Sequence, residues 1–221
     1  MEWYTESEEN YLKALFHLEA EGPVPVSTNR LAAYLNARAP SATAMLQKLA
    51  EKGLLDYEPY QGGKLTAAGR QRALTTIRSH RLWEVFLVQK LGFGWEEVHD
   101  MAEQLEHIRH PELSQRLDQF LGFPEIDPHG DPIPRSDGSL PEVSRLTAAD
   151  LQPGESGVLC GVASADPGFL VHLRQQGLEL GTLLHRLPNQ ASGGWLHFTI
   201  PPHNPLVLDP ASAARIFVAL K

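Results

Sequence analysis

Between residues 99 and 107, His99, Glu103, Glu106 and His107 stand at successive offsets of four, three and one. Read as a helix over 95–109, that spacing sends all four from overlapping faces, because residues three and four apart lie above one another. Upstream, His80 and Glu84 form a second i,i+4 pair, and packing their helix antiparallel to the first would bring six such groups together. Imidazoles and carboxylates have one common ligand, a divalent metal ion. With no thiolate among them the set suits Mn²⁺, Fe²⁺, Co²⁺ or Zn²⁺. The single cysteine, Cys160, excludes an intrachain disulfide and any multi-cysteine zinc or iron–sulfur site. One His/Glu pair alone would be an ordinary solvated ion pair; six such residues on two adjacent helices make a metal candidate.

The elements that must position these groups are read from periodicity. Tyr11, Leu12, Leu15, Phe16 and Leu18 predict an amphipathic helix over 6–20, ending near Gly22-Pro23. A short helix over 27–36 buries Leu31, Ala32 and Leu35. Another opens at Ala39-Pro40-Ser41, with Pro40 suited to the first turn and Gly53 to the stop. Helix, short break, helix is the helix-turn-helix pattern. Two strand-like runs around Gly62-Gly63, over 54–65, follow as a wing. Thr66 is placed to cap a long helix reaching Leu91, and further helices are expected near 95–109 and 111–121. Residues 123–141, with Pro124, Pro128, Pro132, Pro134 and Pro141, read as a linker. Short apolar runs beyond it predict a small β-barrel with one helix near 167–177. The expected fold class is therefore mainly α with a small β domain: a winged helix-turn-helix over 1–73, a helical metal-binding and dimerisation domain over 74–122, the linker, and a β-barrel over 142–221.

Composition bounds the function. The chain has 221 residues, 42% of them hydrophobic, and a net charge of −8, which argues at first against nucleic acid. The charge is segregated, however: residues 24–81 hold nine basic against three acidic residues, a local excess of +6. A basic module in an acidic protein is compatible with DNA binding. No run of about 18 apolar residues is present to cross a bilayer, and the acidic start differs from a secretory signal, so a cytoplasmic protein is expected. No nucleophile loop or glycine-rich substrate pocket accompanies the cluster, so an enzyme is not expected.

His80-Arg81-Leu82-Trp83-Glu84 and His99-Asp100-Met101-Ala102-Glu103-Gln104-Leu105-Glu106-His107 resemble the two metal-ligand motifs of the diphtheria toxin repressor and manganese transport regulator family, in the family's order and after a winged helix. Glu8-Glu9-Asn10-Tyr11-Leu12 resembles its first helix. Gly177-Leu178-Glu179-Leu180-Gly181 resembles the SH3-like domain that the family shares with FeoA proteins. The resemblance implies a primary, activating site of Glu103, Glu106 and His107, and an ancillary site of His80, Glu84 and His99, with Asp166 supplied from the C-terminal domain. For Asp166 the other reading is a cap on the helix after Pro167. The first helix would add Asn10 through its carbonyl, or Glu6 or Glu9 in its place. Lys13 stands where manganese-responsive members carry a Glu ligand. Iron-responsive members place Cys at Glu103 and manganese-responsive ones a carboxylate, so Mn²⁺ is the favoured ion, with Fe²⁺, Co²⁺ and Zn²⁺ compatible.

The expected function is a metal-dependent repressor of metal-homeostasis genes, a homodimer on a palindromic double-stranded DNA operator. An iron-responsive repressor and a metal-independent winged-helix regulator are the alternatives. On the third helix, Ser41, Thr43, Ala44 and Gln47 are the candidates for base edges, with Arg38 and Lys48 on phosphates and Lys64 of the wing on the backbone.

Overall fold

Thr5 starts the first element. Its hydroxyl accepts the Glu8 backbone N–H at 3.3 Å, and a Glu8 carboxylate oxygen accepts the Thr5 N–H at 2.7 Å, a reciprocal cap that opens α1, Glu6–Glu21. Ser27 caps α2, Thr28–Tyr34. Pro40 sits in the first turn of α3, Ala39–Glu51, which stops just ahead of Gly53 at φ 69°. Leu12, Leu15, Leu31, Leu46 and Leu49 are buried together among these three helices. A hairpin of β1, Leu55–Glu58, and β2, Gly62–Leu65, follows, with Leu55 opposite Leu65 and Glu58 opposite Gly62. Gly62 has φ 109°, and a Cβ there would stand 2.3 Å from the Val26 carbonyl oxygen, so this position of the wing needs glycine.

The computed structural model describes residues 4–110, 112–142, 146–163, 166–188 and 194–221. It divides into two compact units. The first holds Met1–Ser79, Glu106–Arg109 and Pro134–Ser139; the second holds His80–Leu105, His110–Ile133 and Leu140–Lys221.

Thr66 caps the long helix α4, Ala67–Leu91, accepting the Gly69 N–H at 3.1 Å. The helix expected over 95–109 is shorter: α5 is Val98–Leu105. Trp95 is drawn instead into the apolar core of the C-terminal sheet. Glu106 and His107 lie in the turn after α5, where their side chains bond to α1. The four-residue ladder of one helix is thereby replaced by a ladder of two, His99 and Glu103. The last helix of this part is α6, Leu113–Leu121, ended by Gly122 at φ 77°.

The C-terminal strands are β3, Ser156–Val162; β4, Leu183–Arg186; β5, Leu196–Ile200; β6, Asn204–Leu208; and β7, Ile216–Leu220. They form an antiparallel sheet in the order β6-β5-β4-β3-β7, with α7, Pro167–Gln175, and α8, Pro210–Ala213, between strands. Leu206 and Leu208 point inward and Val207 outward, the period-two pattern of a half-buried strand. The small β domain with one principal helix is as expected for an SH3-like module.

The linker reading of 123–141 needs correction. Its prolines do exclude regular elements, but the segment is packed. In the second unit, Asp127, His129 and Ile133 are buried, and the Asp127 carboxylate accepts the N–H groups of His129 at 2.8 Å and Asp131 at 2.9 Å. Gly130, at φ 80°, lies against Phe217 of β7 and so close to Gly161 of β3 that a Cβ on Gly161 would be 2.6 Å from the Gly130 Cα. Pro134–Ser139 belongs to the first unit, where the Pro134 carbonyl accepts from Arg78 at 2.5 Å.

Candidate metal centre and nucleic-acid interface

The first unit brings part of the expected primary site onto α1. His107 Nδ1 lies 2.7 Å from Glu9 Oε2. A carboxylate only accepts, so Nδ1 donates to it and the ring is oriented with Nε2 on the far side of that bond. Nε2 is 3.5 Å from Glu106 Oε1. A carboxylate holding the far nitrogen of an imidazole is the usual outer support of a metal-binding histidine. Asn10, one residue from Glu9, has a buried Oδ1 with no hydrogen-bond partner. An orphaned carbonyl oxygen, an oriented imidazole and a buried carboxylate suit a hard or borderline cation. Glu9 also pairs with Arg72. Burial opposes its ionisation, yet His107 and Arg72 hold its carboxyl below the usual range. Of the two acidic substitutes considered on α1, Glu9 is the engaged one and Glu6 is exposed. Lys13, one turn further along, binds both oxygens of Glu106, at 2.8 and 3.0 Å.

Glu103 lies in the second unit on α5, half-buried, with Oε1 3.8 Å from His99 Nε2. There α4 and α5 bring His80, Glu84 and His99 together: Glu84 Oε1 is 3.0 Å from His80 Nε2 and 3.4 Å from His99 Nδ1. The two imidazoles meet edge to face at 4.9 Å. Sequence reasoning missed the other half of this knot. His129 Nδ1 is also 3.4 Å from Glu84 Oε1, while its Nε2 bonds to the Trp95 carbonyl at 2.9 Å. Asp127 completes a second trio with Glu84 and His129, and both trios have ligand atoms within 4.8 Å of one another. The missed signal was Asp127-Pro128-His129-Gly130-Asp131, three titratable residues within five. Asp166, in contrast, caps α7, accepting the Gly168 N–H at 3.1 Å, and belongs to neither trio.

The electrostatics of the knot follow from setting four titratable groups, buried His80, His129 and Asp127 and the exposed His99, around one buried carboxylate. Burial would raise Glu84, but His129, His80 and His99 bring it well below the usual carboxylate range. Burial and the Glu84 charge push Asp127 up to about 7, with Arg81, 3.4 Å away, opposing. His129 is raised to about 9, because its bond to Glu84 and the charges of Glu84 and Asp127 outweigh its desolvation. Cys160 on β3, whose thiol burial pushes up, is in neither trio, so oxygen and nitrogen are the donors available here.

On α3 the side chains of Ser41, Ala44, Gln47 and Lys48 are exposed along one face, with Arg38 just ahead of the helix. Thr43 is half-buried, and its hydroxyl bonds back to the Ala39 carbonyl at 3.0 Å. In the wing, Lys64 stands opposite Asp56 across the strand pair, and Tyr60 projects fully into solvent at the tip with φ 68°. Glu8, buried on α1, reaches Lys52 at 2.7 Å and Lys48 at 3.1 Å. Against its burial, these lysines and the Thr5 N–H lower it to about 2. No described helix is long and apolar enough to cross a membrane.

A helix-turn-helix with a short wing, in one chain with helices that gather imidazoles and carboxylates, is the architecture of a metal-linked transcription regulator. Comparison with known proteins agrees. Residues 4–63 match the family model of the iron-dependent repressor N-terminal DNA-binding domain, and residues 66–135 that of the iron-dependent repressor metal-binding and dimerisation domain. The diphtheria toxin repressor of Corynebacterium glutamicum is 32% identical over 189 residues, 79% of this chain and 80% of the relative. The iron-dependent repressor IdeR of Mycobacterium leprae is 36% identical over 126 residues, 57% of this chain and 54% of the relative. The chain thus spans about half the length of that relative. Among solved structures, a manganese-dependent transcriptional repressor in complex with manganese is 36% identical with a TM-score of 0.73, covering 97% of this chain and 100% of the other. The chain belongs to the iron-dependent repressor family, that of the diphtheria toxin repressor.

Proposed function

We propose that this protein is a Mn²⁺-activated repressor of metal-homeostasis genes, acting in the cytoplasm as a homodimer on a palindromic operator. The observation that carries the reading is that α1, within the first unit, bonds His107 through Glu9 and the buried Glu106 through Lys13, and carries between those two residues the orphaned Asn10 oxygen. Glu106, His107 and Asn10 would hold the activating ion, and in the second unit His80, Glu84 and His99 would hold an ancillary one, with Asp127 and His129 as further donors to it. A bound divalent ion supplies positive charge and a fixed coordination geometry.

The chain's own residues carry the consequence to DNA. Asn10 and Glu9 follow Glu8 on α1, and Glu8 grips Lys48 of α3 and Lys52 at its C-terminal cap. Fixing α1 therefore fixes the helix whose Ser41, Thr43, Ala44 and Gln47 would meet base edges, while Arg38, Lys48 and Lys64 would take phosphates. The relatives' manganese and iron dependence, carboxylate ligation and the absence of a clustered thiolate favour Mn²⁺, with Fe²⁺, Co²⁺ and Zn²⁺ to be titrated beside it. A second copy is the proposed occupant of the apolar face of α4 and α6, where Phe120, 65% exposed, meets Phe86, which packs against Trp83.

The test is operator binding by fluorescence anisotropy with chelator and with Mn²⁺, for the parent chain and His107→Ala. Mn²⁺ should strengthen binding about 5- to 150-fold, the span of ordinary allosteric coupling, and His107→Ala should abolish the gain. Equal affinity with chelator and with Mn²⁺ overturns the proposal.

A further inference from the structure

We infer that Lys13 is the resident counter-ion of Glu106 and that it sets the affinity of the Glu106–His107 site, because a divalent ion can reach the carboxylate only by displacing the ammonium. The inference rests on the metal role proposed for Glu106 and His107.

Lys13 Nζ lies 2.8 and 3.0 Å from the two oxygens of Glu106, across 93 residues of sequence. The Glu106 side chain is 0% exposed and that of Lys13 only 13%. A carboxylate buried that deeply must be compensated by a cation or by hydrogen bonds, and here α1 supplies both in one group. A charged ammonium has three donors and no lone pair, so Lys13 cannot itself be a ligand. It occupies the oxygens that an ion would use.

The neighbouring pair does the opposite. Glu9 bonds His107 at Nδ1 and leaves Nε2 turned toward Glu106, 3.5 Å from its Oε1. Asn10 offers a buried oxygen without a partner on the same helix. Of the two ion pairs that α1 makes with residues 106 and 107, Glu9–His107 prepares the site for an ion and Lys13–Glu106 holds it closed. Removing the ammonium must therefore weaken the metal-free protein and tighten metal binding together. A residue that merely packs would weaken the first without improving the second.

The experiment is Mn²⁺ titration by calorimetry on the full chain, with the melting temperature of chelator-treated protein measured in parallel. Parent, Lys13→Met, Lys13→Arg, Glu106→Gln and the Lys13→Met/Glu106→Gln pair are compared. Lys13→Met should bind Mn²⁺ about tenfold tighter or more, within the range of ordinary coupling energies, and its metal-free melting temperature should fall. Lys13→Arg should bind like the parent. The tightening should vanish when Glu106→Gln is already present. If Lys13→Met does not fold without metal, Lys13→Gln takes its place, with the same tightening expected.

Unchanged or weaker binding by the neutral variants overturns the inference, as does an equal gain in the Glu106→Gln background. A parent chain that binds no Mn²⁺ overturns the metal reading and this inference with it. A parent that binds, loses affinity on Glu106→Gln and is indifferent to Lys13→Met overturns this inference alone.

Discussion

Glu84→Gln isolates what one buried carboxylate does in the second unit. The replacement keeps the shape and removes the charge that faces His80 at 3.0 Å, His99 at 3.4 Å and His129 at 3.4 Å. In the metal-free protein the clearest effect is on His129, whose pKa is raised from 6.5 to about 9 by Glu84 first and Asp127 second, against desolvation. Because a tenfold change in proton affinity is worth about 1.4 kcal/mol, the folded state favours the imidazolium by about 3 kcal/mol. A raised histidine contributes that stability fully below its unfolded value of 6.5 and loses it as pH climbs through about 9. Asp127 works in the same direction: burial and the Glu84 charge raise it to about 7, so ionising it costs stability as pH rises from its ordinary value of 3.8. Glu84→Gln removes part of that cost, most of which is already present at about pH 6 and all of it above about pH 7. The variant should therefore lose less than the full value of about 3 kcal/mol at about pH 6, and much less again at about pH 9.5. Urea unfolding of chelator-treated protein at the two pH values measures the difference, and the His129 ring-proton resonance should titrate well below 9 in the variant. An equal loss at both pH values, or an unmoved His129 titration, refutes the reasoning.

Phe120→Asp places a charge on the apolar face of α6 beside Phe86, whose ring centroid is 6.2 Å away; sedimentation should then show monomer where the parent is dimer, with the helical circular dichroism kept. Glu8→Gln removes a carboxylate held at about 2 by Lys52, the Thr5 N–H and Lys48 against its burial. A depressed acid contributes above its ordinary 4.5 and loses that contribution as pH falls through about 2, so the variant should cost of order 2 kcal/mol at neutral pH and little in strong acid, read by thermal unfolding. Gly161→Ala sets a methyl 2.6 Å from the Gly130 Cα, an overpacking worth about 1–3 kcal/mol. By pushing the 127–131 turn off the sheet it should also weaken divalent-ion binding at the Glu84 knot, whereas Ala at exposed Gly154, strained by its φ of 93° but with no neighbour to push, should cost stability and leave ion binding unchanged.

What could be read in the sequence was whatever repeats along the chain or caps it. The helix-turn-helix and wing follow from local signals: the Leu31 and Leu46 stripes, Pro40 in a first turn, Thr66 at an N-cap and Gly62 at the hairpin. His80, Glu84 and His99 were legible because two of them share a helix face and the third begins the next helix. The helix ladder failed at Leu105, where no spacing rule announces that Glu106 and His107 leave the helix for partners on α1, about a hundred residues earlier in the chain. It failed again at 127–131, because prolines suppress periodicity and a segment without periodicity reads as connection. Burial there comes from the close approach of Gly130 to Gly161, a contact between two glycines far apart in sequence. Both failures have one cause: the groups that finish each cluster lie in turns, and are held by tertiary bonds rather than by the period of an element. The same cause gives Lys13 its importance. In the sequence it shows only as a lysine where manganese-responsive members carry a Glu ligand, and only the fold, by seating it on a fully buried carboxylate, makes its charge decide what the site can bind.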